Sequence, residues 1–275
     1  MKNTKSRDSK YYRELMKFCA LHARKAGSIL LKHFDKISFE REKNAKDPVT
    51  NVDLEAQQYY LREINRAYPK HGFLGEESGS LNDTIAGREY TWIVDPVDGT
   101  INYSAGIPLY CTSIGVARTD ENGRAESVAG AVYNPVLREL FCAVKGGGAF
   151  LNGKRIKVSD RPLEKSVVAI SLSSRPEKLE RELEAIRKLN PLVRRFRALG
   201  SIAHEECNVA CGRIAASIHT TTTAWDGAAA NLIAQEAGGI VTDLAGNPWN
   251  LEIPDLLISN NRKTHEILLK ALNGK

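Results

Sequence analysis

The spacing of apolar residues near the start of the chain predicts two amphipathic helices. Over residues 11–34, apolar or small side chains recur in steps of three and four, as they do on one face of a helix. A turn signal at Asp47-Pro48 interrupts this spacing, which returns over residues 54–68. Asp53 is therefore expected at the start of the second helix, where an acid complements the helix dipole. The polar residues 1–10 offer little to bury and are expected to be frayed.

Apolar runs bounded by turn residues predict a series of strands after residue 71. These strands are expected within residues 72–78, 90–94, 111–118 and 127–143, the last with a turn at Asn134-Pro135. The glycine-rich residues 145–158 contain Asn152-Gly153, a strong hairpin signal. Because no helix pattern follows the glycines, we expect a β-hairpin here rather than a phosphate-binding loop.

Beyond residue 160 the predicted strands and helices alternate. Strand-like runs at 166–171, 193–199, 213–219, 239–246 and 255–260 are separated by helical patterns at 176–189, 201–212 and 226–239, and a helix is expected at 263–272. Alternation of this kind is typical of an α/β sheet with helices on its faces. The first part is more α+β in character, so we place a boundary near residue 160 and expect parts at 1–160 and 161–275.

The amino-acid composition of the chain limits the kinds of partner that it is expected to bind. The chain has 275 residues, a net charge of +6 and five scattered cysteines. An odd, scattered set of cysteines argues against a disulfide framework and favours a reduced, cytoplasmic setting. Because no long basic run with interleaved aromatic residues occurs and no apolar run could span a bilayer, neither nucleic acid nor membrane is expected as a partner.

The stretch "WIVDPVDGT" (92–100) is the strongest indication of chemistry. A run suited to a buried strand delivers Asp95 and Asp98 to the end of a sheet, where ligands gather in α/β folds. Buried carboxylates need a cation, a shared proton or a metal to neutralise them. Gly99 permits close approach to a ligand, and Thr100 begins what reads as a short helix whose N–H groups suit an anion. A divalent ion such as Mg²⁺ reconciles the acids with the anion site.

Other chemistries fit the sequence less well. His204, Cys207 and Cys211 share one helical face, and we interpret them as core packing, because zinc sites usually draw ligands from two segments. The G-x-S-x-G elbow of serine hydrolases does not occur in the sequence. A pair of acids for glycoside cleavage would leave the threonine and the helix start unexplained.

Four segments together resemble the inositol monophosphatase family. They are "DPVTNVD" (47–53), "GEES" (75–78), "DPVDGTINY" (95–103) and "WDGAAA…EAGG" (225–239), and they extend over nearly the whole chain. The resemblance implies a five-layered αβαβα sandwich and hydrolysis of a small phosphate monoester. It also implies a homodimer.

The resemblance further implies a metal-ligand set. Glu76, Asp95 and the backbone carbonyl of Val97 would hold a first Mg²⁺. Asp95, Asp98 and Asp226 would hold a second. Glu76 would help to bind a weaker third ion. Mn²⁺ is the expected substitute and Li⁺ the expected inhibitor.

Catalytic and substrate-binding roles are implied in the same way. Asp53 would accept a hydrogen bond from Thr100, which orients and deprotonates the attacking water, and Glu76 is grouped with these two as catalytic. The N–H groups of Gly99 and Thr100 would bind phosphate oxygens. Further substrate contacts are implied for six residues: Asp98, Gly200, Ser201, Ile202, His219 and Asp226.

Substrate identity is left open by one departure from the family pattern. Inositol phosphatases often carry an acid seven residues before the last metal aspartate, where this chain has His219. Myo-inositol monophosphate is the leading substrate. Fructose 1,6-bisphosphate, histidinol phosphate and 3′-phosphoadenosine nucleotides are alternatives on the same centre. The rival classes are a two-metal nuclease, disfavoured by the missing basic groove, and a non-catalytic phospholigand-binding regulator, disfavoured by the complete set of acids.

Overall fold

The computed structural model of the protein describes residues 2–34, 39–44, 47–76 and 87–274. Within these ranges the helices are α1 (Lys2–His33), α2 (Asn51–Ala67), α3 (Thr100–Ser104), α4 (Pro176–Leu189), α5 (Ile202–Ala210), α6 (Ala224–Glu236) and α7 (Arg262–Asn273). A 3₁₀ turn covers Leu163–Lys165. None of the helices in these ranges is both long and apolar enough to cross a bilayer.

Fourteen strands are described, and they fall into three sheets. The strands are β1 (Phe39–Asn44), β2 (Asp47–Thr50), β3 (Gly72–Gly75), β4 (Tyr90–Asp98), β5 (Cys111–Thr119), β6 (Ala125–Asn134), β7 (Glu139–Val144), β8 (Gly148–Leu151), β9 (Lys154–Arg155), β10 (Val167–Ile170), β11 (Arg195–Arg197), β12 (Ala216–His219), β13 (Ile240–Thr242) and β14 (Leu256–Ser259).

The larger sheet has seven strands in the order β3-β4-β5-β6-β7-β8-β9. Only the β3–β4 pair is parallel, and the other neighbours in this sheet are antiparallel. Strand β4 lies near one edge of this sheet, yet all nine of its residues are buried. This burial explains its near-continuous apolar sequence up to the first aspartate.

The smaller sheet has five strands in the order β11-β10-β12-β14-β13. Strand β10 runs parallel to both β11 and β12, whereas β14 runs antiparallel to its two neighbours. The carboxyl ends of β10, β11 and β12 therefore lie at one edge of the sheet. The loops that leave this edge carry residues 198–201 and 220–223, which lead directly into the first turns of α5 and α6.

The two large sheets and the longer helices form five layers. Side chains of α1 and α2 pack on one face of the seven-stranded sheet, around Trp92 and Ile114. Helices α5 and α6 lie between the two sheets, where Cys207 and Ala229 share a core with strand residues of both. Helices α4 and α7 cover the outer face of the smaller sheet. The predicted five-layered αβαβα sandwich is confirmed.

The predicted elements are largely confirmed, with three corrections. Helix α1 begins at Lys2 rather than near Tyr11, so the helix includes the polar residues 2–10. The expected turn at Asp47-Pro48 is wrong, because both residues belong to β2, which pairs with β1. The strand expected at 90–94 continues through Asp98. Glu77 and Ser78 of the "GEES" segment lie outside the described residues.

The glycine-rich segment forms the predicted β-hairpin, in which β8 pairs with β9. Asn152 and Gly153 connect the two strands with positive φ angles of 49° and 79°, as hairpin turns of this type require. The N–H groups of Gly146 and Gly148 donate to the carboxylate of Glu236 at 2.6 and 2.7 Å. An acid of the protein thus occupies the place where a phosphate would have been bound.

The division at residue 160 stays a prediction. The seven-stranded sheet ends at Arg155 and the five-stranded sheet begins at Val167. However, both sheets bury their inner faces against the same two helices, α5 and α6. The halves of the chain therefore share one central core.

Candidate active site

A β-bulge brings Asp95 and Asp98 to the same side of β4. In a regular strand, residues three apart point to opposite faces. Here Asp95 pairs with Ser113 and Asp98 with Cys111, so three steps along β4 match two steps along β5. The one extra residue lies beside Pro96, which has no N–H to donate to the ladder. The two carboxylates can therefore approach a common point.

Asp226 comes to this point from the other half of the chain. It lies in the first turn of α6, where its carboxylate accepts hydrogen bonds from the N–H and the hydroxyl of Thr223 at 2.7 and 2.8 Å. The reciprocal pattern is a capping box, which fixes the start of the helix. The helix thereby holds the acid in one orientation.

The three aspartates form a cluster that suits a metal ion. One carboxylate oxygen from each of Asp95, Asp98 and Asp226 lies within 4.8 Å of the others. Burial, and after it the repulsion from Glu76, Asp98, Asp226 and Asp53, raises the pKa of Asp95 well above its ordinary value. Burial and repulsion from Asp98 raise the pKa of Asp226 to about 7. Positive charge at this point would relieve the repulsion.

One oxygen of this cluster is also short of a partner. Asp95 is 2% exposed, and its Oδ1 has no hydrogen-bond partner among the residues that the structure describes. A buried carboxylate oxygen without a donor is costly, and oxygen ligands are those that Mg²⁺ prefers. The carboxylate oxygens of this cluster therefore suit a hard divalent cation as its ligands.

Glu76 and Asp53 lie at the border of the cluster. The N–H of Glu76 donates to the carbonyl of Val94 at 3.2 Å, which fixes the residue after β3 beside β4. Asp53 lies in the first turn of α2 and is buried, as the sequence predicted for its position in the helix. The charges of both acids help to raise the pKa of Asp95, whereas the group within 4.8 Å consists of Asp95, Asp98 and Asp226.

The turn after β4 has the predicted geometry. Gly99 is the N-cap of the short helix α3 and has a φ of 91°, in the left-handed region that favours glycine. The hydroxyl of Thr100 donates to the carbonyl of Val97 at 2.9 Å. The hydrogen bond from Thr100 to Asp53 stays a prediction.

The carboxylate of Asp98 accepts five hydrogen bonds from the protein. The hydroxyl of Ser201 donates to Oδ2 at 2.6 Å, and the thiol of Cys111 donates to it at 3.3 Å. The N–H groups of Ile202, Ala203 and His204 donate at 3.0, 2.9 and 3.4 Å. Asp98 therefore caps α5 as well as facing the other acids. Its pKa is raised by burial, while these donors oppose the rise.

The loop before α5 is held on two further sides. Asn102 donates through Nδ2 to the carbonyls of Leu109 and Leu199, both at 2.7 Å. On the other side, Oε1 of Glu205 accepts from the N–H groups of Leu199 and Gly200 at 2.6 and 3.2 Å. Burial raises the pKa of Glu205 to about 7. Sequence reasoning missed Asn102, Cys111 and Glu205.

His219 does not lie on the surface of the site. Its side chain has 0% exposure. Nδ1 lies 2.5 Å from the hydroxyl of Ser171, and Nε2 lies 2.6 Å from that of Ser217. Burial lowers its pKa to about 3, so the ring is neutral. The predicted contact with substrate therefore needs correction, because this conformation leaves the ring no surface to offer.

A five-layered α/β sandwich with carboxylates clustered at the end of a buried strand is the architecture of a metal-dependent phosphatase. The model of the Inositol monophosphatase family matches residues 12–275 of the chain. The chain belongs to this family, and it is a phosphatase.

Two relatives carry different names. Inositol monophosphatase 3 of Solanum lycopersicum is 36% identical over 256 residues, which cover 91% of this chain and 93% of the relative. Nus factor SuhB of Pseudomonas aeruginosa is 34% identical over 256 residues, which cover 91% of this chain and 92% of the relative.

Several solved structures have the same fold as this chain. The extragenic suppressor protein SuhB of Bartonella henselae superposes with a TM-score of 0.85 at 33% identity, over 94% of this chain and 98% of that one. A Staphylococcal inositol monophosphatase in a LiCl-soaked inhibitory complex gives 0.83 at 26% identity, over 96% of both chains. An IMPase/NADP phosphatase complexed with Mg²⁺ and phosphate gives 0.81 at 26% identity, over 96% of this chain and 97% of that one.

Proposed function

We propose that the protein hydrolyses small phosphate monoesters with Mg²⁺, with myo-inositol monophosphate as its leading substrate. The observation that carries this proposal is the approach of Asp95, Asp98 and Asp226 to within 4.8 Å, with Asp95 Oδ1 lacking a donor among the described residues. Structural neighbours that hold Mg²⁺ with phosphate, or that were inhibited by a LiCl soak, support the choice of ion and the expectation of Li⁺ inhibition.

Two Mg²⁺ ions are proposed, with a weaker third, and Mn²⁺ as a substitute. Glu76, Asp95 and the carbonyl of Val97 would hold the first. Asp95, Asp98 and Asp226 would hold the second. Bound ions of this kind neutralise the charge of a phosphate and lower the pKa of a water molecule.

The residues around the ions bind and orient the reactants. The N–H groups of Gly99 and Thr100 would donate to phosphate oxygens, an arrangement that helix starts favour. Thr100 Oγ1 would take a proton from the attacking water and pass its own proton to Asp53. In the structure this hydroxyl donates to the carbonyl of Val97, so the proposed transfer to Asp53 would require rotation about the Cβ–Oγ1 bond. Residues 200–202 would contact the hydroxyl groups of the substrate.

The choice of substrate rests on family resemblance, and alternatives remain in the proposal. Fructose 1,6-bisphosphate, histidinol phosphate and 3′-phosphoadenosine nucleotides use the same reacting group. His219 supplies no charge that would favour any of them, since its pKa is lowered to about 3 by burial. The SuhB relative is named a Nus factor, and this name suggests a regulatory role as an alternative function. However, the complete acid cluster favours catalysis. A homodimer and a cytoplasmic location also stay predictions; light scattering after gel filtration tests the first.

The decisive experiment measures phosphate release from these four substrates, with Mg²⁺ and after its removal by a chelator. Mg²⁺-dependent release, fastest from inositol monophosphate, is expected. Asp95→Asn should reduce turnover by about 10²-fold or more, the scale of losing one group that helps to stabilise charge in the transition state. Asp120→Asn is the matched control, because the side chain of Asp120 accepts hydrogen bonds from the N–H groups of Asn122 and Arg124 in the turn between β5 and β6. Release that is equally fast without Mg²⁺, or unaffected by Asp95→Asn, would refute the proposal.

A further inference from the structure

A buried pair of side chains lies directly behind the loop that precedes α5. Glu205 is 1% exposed and His219 is 0% exposed. The second carboxylate oxygen of Glu205, Oε2, lies 3.8 Å from Nε2 of His219 and has no hydrogen-bond partner among the described residues. Glu205 comes from α5 and His219 from the end of β12, so the pair joins the central helices to the smaller sheet.

Each member of the pair is fixed by further contacts. His219 is hydrogen bonded to Ser171, just after β10, and to Ser217, within β12. Glu205 uses its other oxygen to hold the N–H groups of Leu199 and Gly200. The imidazole of His219 therefore lies against the Oε2 side of the Glu205 carboxylate. The Oε1 side of the carboxylate fixes the backbone of the loop.

The same loop is held from the opposite side by the acid cluster. The carboxylate of Asp98 accepts hydrogen bonds from the hydroxyl of Ser201 and the N–H of Ile202. Asn102 donates a hydrogen bond to the carbonyl of Leu199. The fit against α3 is close, since a Cβ added at Gly99 would lie 3.0 Å from the carbonyl oxygen of Gly200. Without Glu205, the loop would be held from one side only, and two backbone N–H groups would lose their acceptor.

We propose that Glu205, supported by His219, is a positioning residue that sets substrate affinity through residues 199–202. This inference rests on the proposed function, which assigns substrate hydroxyl contacts to residues 200–202. His219 thus takes part in recognition without touching the substrate. Its place is behind the loop, and it keeps the carboxylate of Glu205 directed at Leu199 and Gly200.

The test compares four single variants and one double variant with the wild-type enzyme. Glu205→Ala removes the acceptor, whereas Glu205→Gln keeps a carbonyl oxygen for the same N–H groups. Glu236→Ala is the matched control, because Glu236 also accepts from two backbone N–H groups, those of Gly146 and Gly148, in a different part of the fold. For Glu205→Ala, the KM for myo-inositol 1-phosphate should rise about tenfold while kcat stays within about threefold, the scale of one lost hydrogen-bond acceptor.

The remaining outcomes separate positioning from simple loss of stability. Glu205→Gln should restore KM to within about threefold, and Glu236→Ala should leave KM unchanged even where its melting temperature falls as far as that of Glu205→Ala. His219→Ala should raise KM in the same direction, and adding it to Glu205→Ala should raise KM no further, because both act through one contact. Equal KM values for the two alanine variants, Glu205→Ala and Glu236→Ala, or additive effects of Glu205 and His219, would overturn the inference.

A readout that does not depend on the substrate completes the test. Hydrogen exchange measured by mass spectrometry should be faster for peptides containing Leu199 and Gly200 in Glu205→Ala, and unchanged there in Glu236→Ala. If the wild-type enzyme released no phosphate from any ester, the proposed function would fail while this exchange result still reported on the loop. Unchanged exchange at residues 199–200 in Glu205→Ala would refute the positioning role itself.

Discussion

The carboxylate of Asp98 accepts a 2.6 Å hydrogen bond from the hydroxyl of Ser201, which lies 103 positions later in the chain. Asp98 ends a strand of the seven-stranded sheet, and Ser201 is the N-cap of α5. The N–H groups of Ile202 and Ala203 donate to the same carboxylate. A proposed metal ligand is therefore also the acceptor that caps a central helix, so the metal site and the start of α5 depend on each other.

Ser201→Ala tests this dependence. The variant removes one of the donors to Asp98, and we expect it to lower the free energy of unfolding by about 1 kcal/mol. Because the carboxylate of Asp98 is then less firmly oriented, the Mg²⁺ concentration for half-maximal activity should rise several-fold. Urea unfolding and a Mg²⁺ titration of phosphate release measure the two effects. Ser104→Ala, which removes an exposed hydroxyl bonded to Ile101, should change neither, and a Ser201→Ala enzyme with wild-type Mg²⁺ dependence would contradict the coupling.

Thr100 offers a test of proton transfer that is separate from metal binding. Thr100→Ala should lower kcat by about 10²-fold or more, the usual scale for loss of a general acid–base group. Thr100→Ser keeps the hydroxyl and should stay within about tenfold of the wild-type kcat. Mg²⁺ binding, followed as the rise in melting temperature on adding Mg²⁺, should be equal in both variants. Equal kcat values for the alanine and serine variants would exclude a role for the hydroxyl.

Much of the architecture can be predicted because the local spacing of apolar residues and the local turn residues determine it. The steps of three and four residues that predicted α2 depend only on one buried face, and the Asn152-Gly153 turn depends only on local φ angles. Asp226 is grouped with Asp95 and Asp98 through the family resemblance. Asp95 and Asp98 could be placed at the end of a sheet because they follow a buried-strand pattern. For these residues, the physical cause lies within a few positions of the residue itself.

The remaining features depend on contacts between distant segments. The bulge between Asp95 and Asp98 arises from pairing with β5, which no pattern within β4 specifies. Glu205 is one of two adjacent glutamates in a helical pattern, and only the fold shows that it turns back to Leu199 and Gly200. His219 could be recognised as unusual for its position, but its burial depends on β10 and α5.

The contact between α6 and the larger sheet gives a third prediction. Gly115 in β5 faces Ala228 in α6, and a Cβ added at Gly115 would lie 2.8 Å from the Cβ of Ala228. Gly115→Ala should therefore push α6 away and lower the free energy of unfolding by about 1–3 kcal/mol, as overpacking does. Since α6 carries Asp226, the Mg²⁺ requirement should increase as well.

A compensating change provides the control for Gly115→Ala. Ala228→Gly removes the opposing methyl group, although glycine in a helix costs about 1 kcal/mol. The double variant should recover part of the Mg²⁺ requirement and remain less stable, because the backbone C and O atoms of Ala228 would still lie 2.9 and 3.1 Å from the added Cβ. Urea unfolding and Mg²⁺ titration of the wild type, the two single variants and the double variant measure the stability and the Mg²⁺ requirement of each. If the double variant were no better than Gly115→Ala in its Mg²⁺ requirement, the steric explanation would fail.

The last prediction concerns pH and the aromatic cluster under α1. The ring of His71 stacks between Tyr68 and Tyr90, with centroid distances of 4.9 and 5.1 Å. Its Nδ1 accepts a hydrogen bond from the indole N–H of Trp92 at 3.0 Å, so this nitrogen carries no proton in the folded state. Nε2 lies 3.2 Å from the hydroxyl of Tyr11. Burial lowers the pKa of His71, and the charge of Glu89 only partly opposes the shift.

A histidine whose pKa is lowered by folding stabilises the protein above its unfolded pKa of about 6.5. That contribution is lost as the pH falls from about 6.5 through the folded pKa, with a slope of at most about 1.4 kcal/mol per pH unit for one proton. The contribution of His71 to stability should therefore fall between pH 7.5 and 5, whereas the buried carboxyl groups of Asp226 and Glu205, whose pKa is raised to about 7, act in the opposite direction. Urea unfolding of the wild type and of a His71 variant at each pH isolates the histidine contribution. His71→Gln, which keeps an acceptor for Trp92, should be less stable at pH 7.5 but should lose less on acidification. His22, whose pKa burial also lowers, will leave part of the slope. An unchanged slope in His71→Gln would show that His71 does not titrate in this range.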